Sequence, residues 1–406
     1  MKMKYFSPLL LSCAFTLSLY SCNDYLDREL TSGIITSDLI WESPQAIQSV
    51  LVTMYDEGLR LDEFDDWFTG KSNLLNLTSL SDEATGAYQK DYAFSNANSV
   101  YTYSDYVFED PFATRYVQIR RTNDFLKKLS ETTVLSDEEK RLVDAEARWI
   151  RAMQYFGLVK RYGGVPLLTT PQEYVPGDFS ALQVPRNKES EVYDFIISEC
   201  KAISDILPVS RSAESKYRAS KGAALALWSR ASLYAGSIAK YGSNANLSGE
   251  AVTRGYVGIA ANEATRYFTE SYNASKALLE AGTYTLYNKN ADKAANFYEL
   301  FSKSVNGDNG EYIFQKTFNV SAGKGHMWDK MNAPFSYRGD GWGCGVTPTL
   351  EMVEAFEYSD GSPGKLSLKN TDGTPRRFDS PYDLFVGKAP RLVASIYVPG
   401  APLKGS

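Results

Sequence analysis

Histidine is nearly absent: among 406 residues there is one, His326. A Ser-His-Asp triad, a Cys-His pair or a histidine-rich metal site would each have to pass through it. It stands in a glycine-rich stretch, and no HExxH, GxSxG or phosphate-binding glycine loop accompanies it. No histidine-based catalyst, metal ligand set or cofactor is therefore expected. Two carboxylates acting on a glycosidic bond would need no histidine; with 49 acidic residues present, no pair stands out. An excess of positive charge is also lacking. The net charge of −6 argues against nucleic acid or an anionic membrane surface as partner.

Cysteine is scarce as well, at four residues. Cys13 and Cys22 lie near the N-terminus, while Cys200 and Cys344 are far apart and show no CxxC spacing. The latter two are expected as buried free thiols. The N-terminus reads as a processing signal over residues 1–21. Lys2 and Lys4 precede an apolar run, 6–20, that is too short to span a bilayer. The run closes at "LYSC", with a small residue directly before Cys22, and this resembles the lipobox of bacterial lipoproteins; the resemblance implies that Cys22 is the lipid attachment site, the acylated (palmitate-bearing) first residue of the mature chain.

What the sequence has in quantity is aromatic residues: 28 Tyr, 20 Phe and 6 Trp. The run "AEARWIRAMQYFGLVKRYGGVPLL" (145–168) carries four of them with four cations. Wound as a helix, it gathers Ala145, Trp149, Ala152, Phe156 and Val159 on one face. Ala147, Tyr155, Leu158 and Tyr162 fall on roughly the opposite face. The cations scatter around the circumference, whereas a nucleic-acid helix would segregate them. Asp144 precedes Arg148 by four residues, the favourable order for an ion pair. A helix packed between neighbours is expected.

The same run matches "ALALWSRASLYAGSIAKYG" (224–242) at an offset of 79, with nine of nineteen positions identical. Half that offset is close to one helix–turn–helix repeat. Further helices are expected over 44–60, after Ser43–Pro44, and over 112–130, 187–207 and 258–281. A capping box, Ser136 with Glu139, opens the helix that contains the quoted run. Residues 44–305 thus read as stacked helix pairs, a mainly α, tetratricopeptide-like α-solenoid. "GTYTLY" (282–287) reads as a turn and a short strand-like run.

Two stretches break the pattern. Residues 86–110 form a long loop rich in Tyr, Asn, Ser and Asp. From 306 to 406 the chain is glycine-rich and irregular, densest at 321–345. Long loops are usually functional or disordered, and the aromatic content argues against disorder. Tyr and Trp stack on the apolar faces of sugar rings, while Asn and Asp meet hydroxyls. The first loop offers Asn98, Tyr101 and Tyr103, the second Trp328 and Trp342. Trp149 and Trp228 are assigned to the core.

These residues resemble the SusD/RagB family of outer-membrane nutrient-binding lipoproteins of Bacteroidetes. The segments that carry the resemblance are "SCNDYLDRE" (21–29), "LTSLSDEA" (77–84), "YVQIRRTNDFL" (116–126), the run 145–168, "KGAALALWSRASLYAG" (221–236) and "APRLVASIYVPG" (389–400). The resemblance implies a signal peptide over 1–21, a SusD-like helical scaffold over 22–305, and a loop-rich second part with short strands over 306–406. It implies a lipid anchor in the outer membrane facing the cell exterior. It also implies capture of an oligosaccharide or polysaccharide and its delivery to a SusC-like TonB-dependent transporter. By position it adds Asp82 as a supporting acceptor beside Asn98, Tyr101, Tyr103, Trp328 and Trp342. Two departures stand out. Ala389 replaces the usual Asp of the family's Arg-Asp-Pro-Arg-Leu pattern, and the chain ends at Ser406 where family members continue, so the second part is expected to be C-terminally incomplete. A peptide ligand is the alternative to a glycan, and a glycoside hydrolase is a more distant one.

Overall fold

The computed structural model describes residues 37–59, 82–86, 111–173, 175–302, 310–319, 321, 323, 332–334 and 346–402. Helices dominate. Apart from two four-residue turns of helix, Ser37–Ile40 and Glu250–Thr253, they are in chain order α1 (Pro44–Gly58), α2 (Pro111–Glu131), α3 (Asp137–Tyr162), α4 (Glu189–Ser204), α5 (Lys221–Tyr241), α6 (Ala264–Glu280) and α7 (Lys293–Ser302). From α2 to α6 each helix packs on the next, and α1 lies across α3. This is the expected solenoid of helix pairs.

Local chemistry sets the helix ends. Ser43 caps α1, accepting from the Ala46 N–H, with Pro44 in the first turn. The capping box at α3 is complete: the Ser136 side chain accepts from Glu139 N–H, and Glu139 accepts from Ser136 N–H. Helix α3 stops at Gly163, whose φ of 69° and ψ of −139° suit glycine. A Cβ there would meet the Tyr256 carbonyl oxygen at 2.3 Å, and one on Gly164 would meet the Asn187 oxygen at 2.0 Å. The paired glycines therefore let the chain after α3 pass directly against two backbone segments. Gly164 N–H donates to Tyr256 O at 2.7 Å and closes that contact.

Helix α3 is buried on both faces. Ala145, Trp149, Ala152 and Val159 are almost inaccessible on one side, as are Ala147, Tyr155 and Leu158 on the other. Its cations serve packing. Arg148 and Arg151 both bind Glu199 of α4, at 2.7 and 2.9 Å, and Arg148 also approaches Asp144 at 3.7 Å. Burial alone would raise the Glu199 pKa; the two guanidiniums more than offset it and hold the carboxyl below its usual range. Arg151 also donates to Asn123 Oδ1 and Thr169 O.

The internal repeat has the same identities in a different setting. Gly157 admits the Arg115 side chain of α2, and Gly236 admits the Phe268 ring of α6. Small residues at matched positions do allow close approach. Tyr155 is fully buried, but its counterpart Tyr234 is 43% exposed, because α5 is covered on fewer sides. The assignment of Trp228 to the core is corrected in the same way. It is half-buried at the edge, with Nε1 donating to Glu270 Oε2 at 3.0 Å and Lys201 Nζ 4.9 Å from its ring. Cys200 is fully buried and free, its thiol pKa pushed up by burial; Cys344 lies outside the described residues.

Beyond α6 the chain turns irregular. The expected strand-like run at 282–287 forms no strand. Thr285 N–H donates to Gly310 O, but Tyr287 N–H goes to the Glu311 carboxylate, so no ladder develops. Among the described residues two strands form, β1 (Ala84–Gly86) and β2 (Val346–Pro348), and the latter is followed by α8 (Leu350–Ala355) and α9 (Pro390–Ser395). Helix α9 packs on α7. A small second core of Val353, Phe385, Leu392 and Val398 holds the C-terminal part. Beside it, buried Lys388 donates to the carbonyls of Val353, Phe356 and Gly364.

Candidate functional site

Six ligand residues were expected from the sequence, and one, Asp82, falls among the described residues. Asn98, Tyr101, Tyr103, Trp328 and Trp342 lie outside them, as does the lipid-attachment candidate Cys22. What the structure gives is the framework from which the two aromatic loops spring.

That framework is a short antiparallel ribbon. Gly86 pairs with Val346, Thr85 with Thr347, and Ala84 with Pro348. Gly86 is where the first loop leaves, and Val346 is where the second loop returns. Directly opposed residues in an antiparallel pair stand about 5 Å apart. The ribbon therefore brings one root of each loop to the same place, although the loops are far apart in sequence.

The other end of the ribbon is locked by one hydroxyl. Thr349 N–H donates to Glu83 O at 2.9 Å, and Thr349 Oγ1 donates to Asp82 O at 2.6 Å. The same oxygen accepts from Met352 N–H at 3.2 Å, capping α8. Asp82 and Glu83 are thus held through their backbone, and their side chains are exposed. Asp82 lies four residues from Gly86, up to about 13 Å along an extended chain. It belongs to the end of the ribbon away from the loop roots.

The remaining roots are held by aromatic packing. The first loop ends at α2, where Phe112 packs on Tyr116 at 4.8 Å and edge-on to Tyr162 at 5.3 Å. Tyr116 OH donates to Pro166 O at 2.6 Å. Before the second loop, Phe314 lies against Trp149 at 4.6 Å and Tyr55 at 6.4 Å. Sequence reasoning missed Thr349 and Phe314 as parts of this framework. The Thr349 cap was legible as a threonine directly before a helix; the pairing across the chain was not.

Among the described residues no group of three or more His, Cys, Asp or Glu could hold a metal, and no helix is long and apolar enough to cross a membrane. An open groove of about 530 Å³ runs along Leu167–Pro171, Val175 and Val184. It lies in the segment that follows α3, away from the ribbon in sequence.

A model of the SusD-like family, described as starch-binding and associating with the outer membrane, matches residues 24–233, over half of the chain. Among solved structures, a SusD-like protein from Bacteroides fragilis is similar with a TM-score of 0.64 and 24% identity, over 88% of this chain and 61% of that one. A SusD-like carbohydrate binding protein from the same species gives 0.65 and 23%, over 90% and 62%. Surface glycan-binding protein A from Bacteroides uniformis gives 0.51 and 20%, over 82% and 66%. The likeness is one of fold, and this chain spans about three fifths of the length of the first two. Comparison with curated proteins gives no match.

Proposed function

The chain belongs to the SusD-like family, and on that premise we propose that it is a cell-surface lipoprotein that captures a polymeric glycan and delivers it to a TonB-dependent outer-membrane transporter. The observation that carries the capture role is the β1–β2 ribbon, which joins the roots of two loops rich in Tyr, Trp, Asn and Asp. Stacking aromatics with flanking hydrogen-bonding groups suit a sugar chain. The family, described as starch-binding, and two similar structures, described as carbohydrate- and glycan-binding, favour the same ligand class.

Asn98, Tyr101, Tyr103, Trp328 and Trp342 are the proposed contacts, with Asp82 a peripheral acceptor. Trp342→Ala is expected to weaken polysaccharide binding several-fold, since a well-placed aromatic contact is worth about 0.5–1.5 kcal/mol. Its melting temperature should stay near that of the parent. A large loss of stability with unchanged affinity would move Trp342 from ligand contact to packing.

The anchor is proposed at Cys22, in the outer membrane and facing outward. Cys22→Ala should shift the protein from the membrane fraction to the soluble fraction of lysed cells. Persistence in the membrane would remove the lipid from the account. The role is binding rather than catalysis. Glu146 and Glu199, both buried, are each held by two guanidiniums, which is the setting of a structural carboxylate.

A further inference from the structure

The geometry points to Lys316 as a positioning residue for the second aromatic loop, acting through a root that the segment before it shares with the end of α1. Residues 60–81 begin just after Leu59 and end at Asp82. The second aromatic loop, 321–345, begins just after the 310–319 segment and ends at β2. At one pair of roots, Asp82–Gly86 is bound to Val346–Thr349 by the ribbon and by Thr349. At the other pair, Lys316 Nζ donates to Asp56 O at 3.1 Å and to Leu59 O at 3.0 Å.

These two acceptors are carbonyls at the C-terminal end of α1, the helix end that carries partial negative charge and needs donors. An ammonium on a four-carbon stem fits that role. Phe314, two residues before Lys316, packs its ring against both Trp149 and Tyr55. The ring sets where the segment sits on the scaffold. The ammonium sets its spacing from Leu59, whose own side chain is 2% exposed. The described roots are thus joined at both places, and Lys316 supplies a charged contact at the Leu59 root.

The affinity consequence rests on the glycan-capture reading; the effect on the root does not. The experiment compares the unaltered protein, Lys316→Met and Lys316→Arg. Met keeps the aliphatic stem and removes the donors, whereas the Arg fork can still reach two carbonyls. Three readouts are taken: the melting temperature, the retardation of migration in native gels containing amylopectin, and amide exchange in 55–59, 84–86 and 311–319. Lys316→Met is expected to melt within a few degrees of the parent and to exchange faster in those peptides. Its amylopectin affinity should fall roughly tenfold, because a root no longer pre-organised must be ordered on binding. Lys316→Arg should restore both. Unchanged exchange in Lys316→Met overturns the assignment, as does unchanged retardation of a protein whose parent is retarded. Faster exchange reversed by Arg, with no retardation even of the parent, would uphold the positioning role while counting against starch as the ligand.

Discussion

Glu146→Ala should cost about 3–5 kcal/mol of folding stability, the range for breaking a buried ion pair by removing one partner. Glu146 is completely inaccessible in the middle of α3. Arg218 reaches it with Nε at 2.7 Å and Nη2 at 2.8 Å, a two-pronged contact. Arg211 Nη2 stands 3.1 Å away, and Tyr55 OH donates to it at 2.8 Å. Burial and the neighbouring Glu146 charge push the Tyr55 pKa well up, so the phenol stays a donor. One carboxylate thereby ties α1, α3 and the segment before α5 together. Arg218 also donates to Gln48 Oε1, and Ala219 N–H donates to Tyr55 OH, so the loss spreads to neighbours. Alanine would leave guanidinium charge buried without its counter-ion. Chemical denaturation of Glu146→Ala and Glu146→Gln measures the effect, with the amide variant expected to lose less because it keeps one acceptor. A loss below about 1 kcal/mol, the level of an exposed pair, would show that this network is solvated.

Trp149→Ala should cost a similar amount, about 3–5 kcal/mol as for other large-to-small changes at an aromatic core site. The indole is 2% exposed. Its neighbours include Phe314 at 4.6 Å and Tyr55 at 6.3 Å. The buried Nε1 has no hydrogen-bond partner, so the loss measures packing and cavity rather than a broken polar contact. Trp228→Ala should lose less, since that ring is only half-buried. Equal losses at the two sites would contradict the different burial of the repeat units. Glu146 and Trp149 share Tyr55, one through its hydroxyl and the other through its ring. Their double variant should therefore depart from additivity.

The helical scaffold was legible where local chemistry decides it. The capping box at Ser136, the Ser43–Pro44 start and the two-faced apolar pattern of α3 are short-range features, and each is present. So is the repeat, because small residues at fixed helical positions mark where another element approaches. The burial of matched positions was not legible. Trp149 and Trp228 share a sequence context but not a number of neighbours, and only the stacking order of helices determines that. The sharing of Glu199 by Arg148 and Arg151 was hidden for the same reason: only Asp144, the partner nearer in sequence though farther in space, lies on the same helix.

The loops were legible as candidates and not as a site. Composition singled out 86–110 and 321–345 as aromatic and polar. A three-residue strand has too short a period to be seen in sequence, so their meeting at Gly86 and Val346 emerged only with the fold. Asp82, chosen by resemblance, lies at the opposite end of the ribbon, bound through its carbonyl to Thr349. Lys316 gave no signal at all. A single lysine in an irregular stretch carries no pattern until the end of α1 is placed beside it.

Calorimetric titration of the protein from Asn23 onward, against a panel of polysaccharides and mixed peptides, tests the capture role most directly. Saturable binding to a polysaccharide, with the polymer recovered at its original length, is the predicted result. Heat from peptides alone, or silence with every polysaccharide from a protein that melts cooperatively, would contradict it.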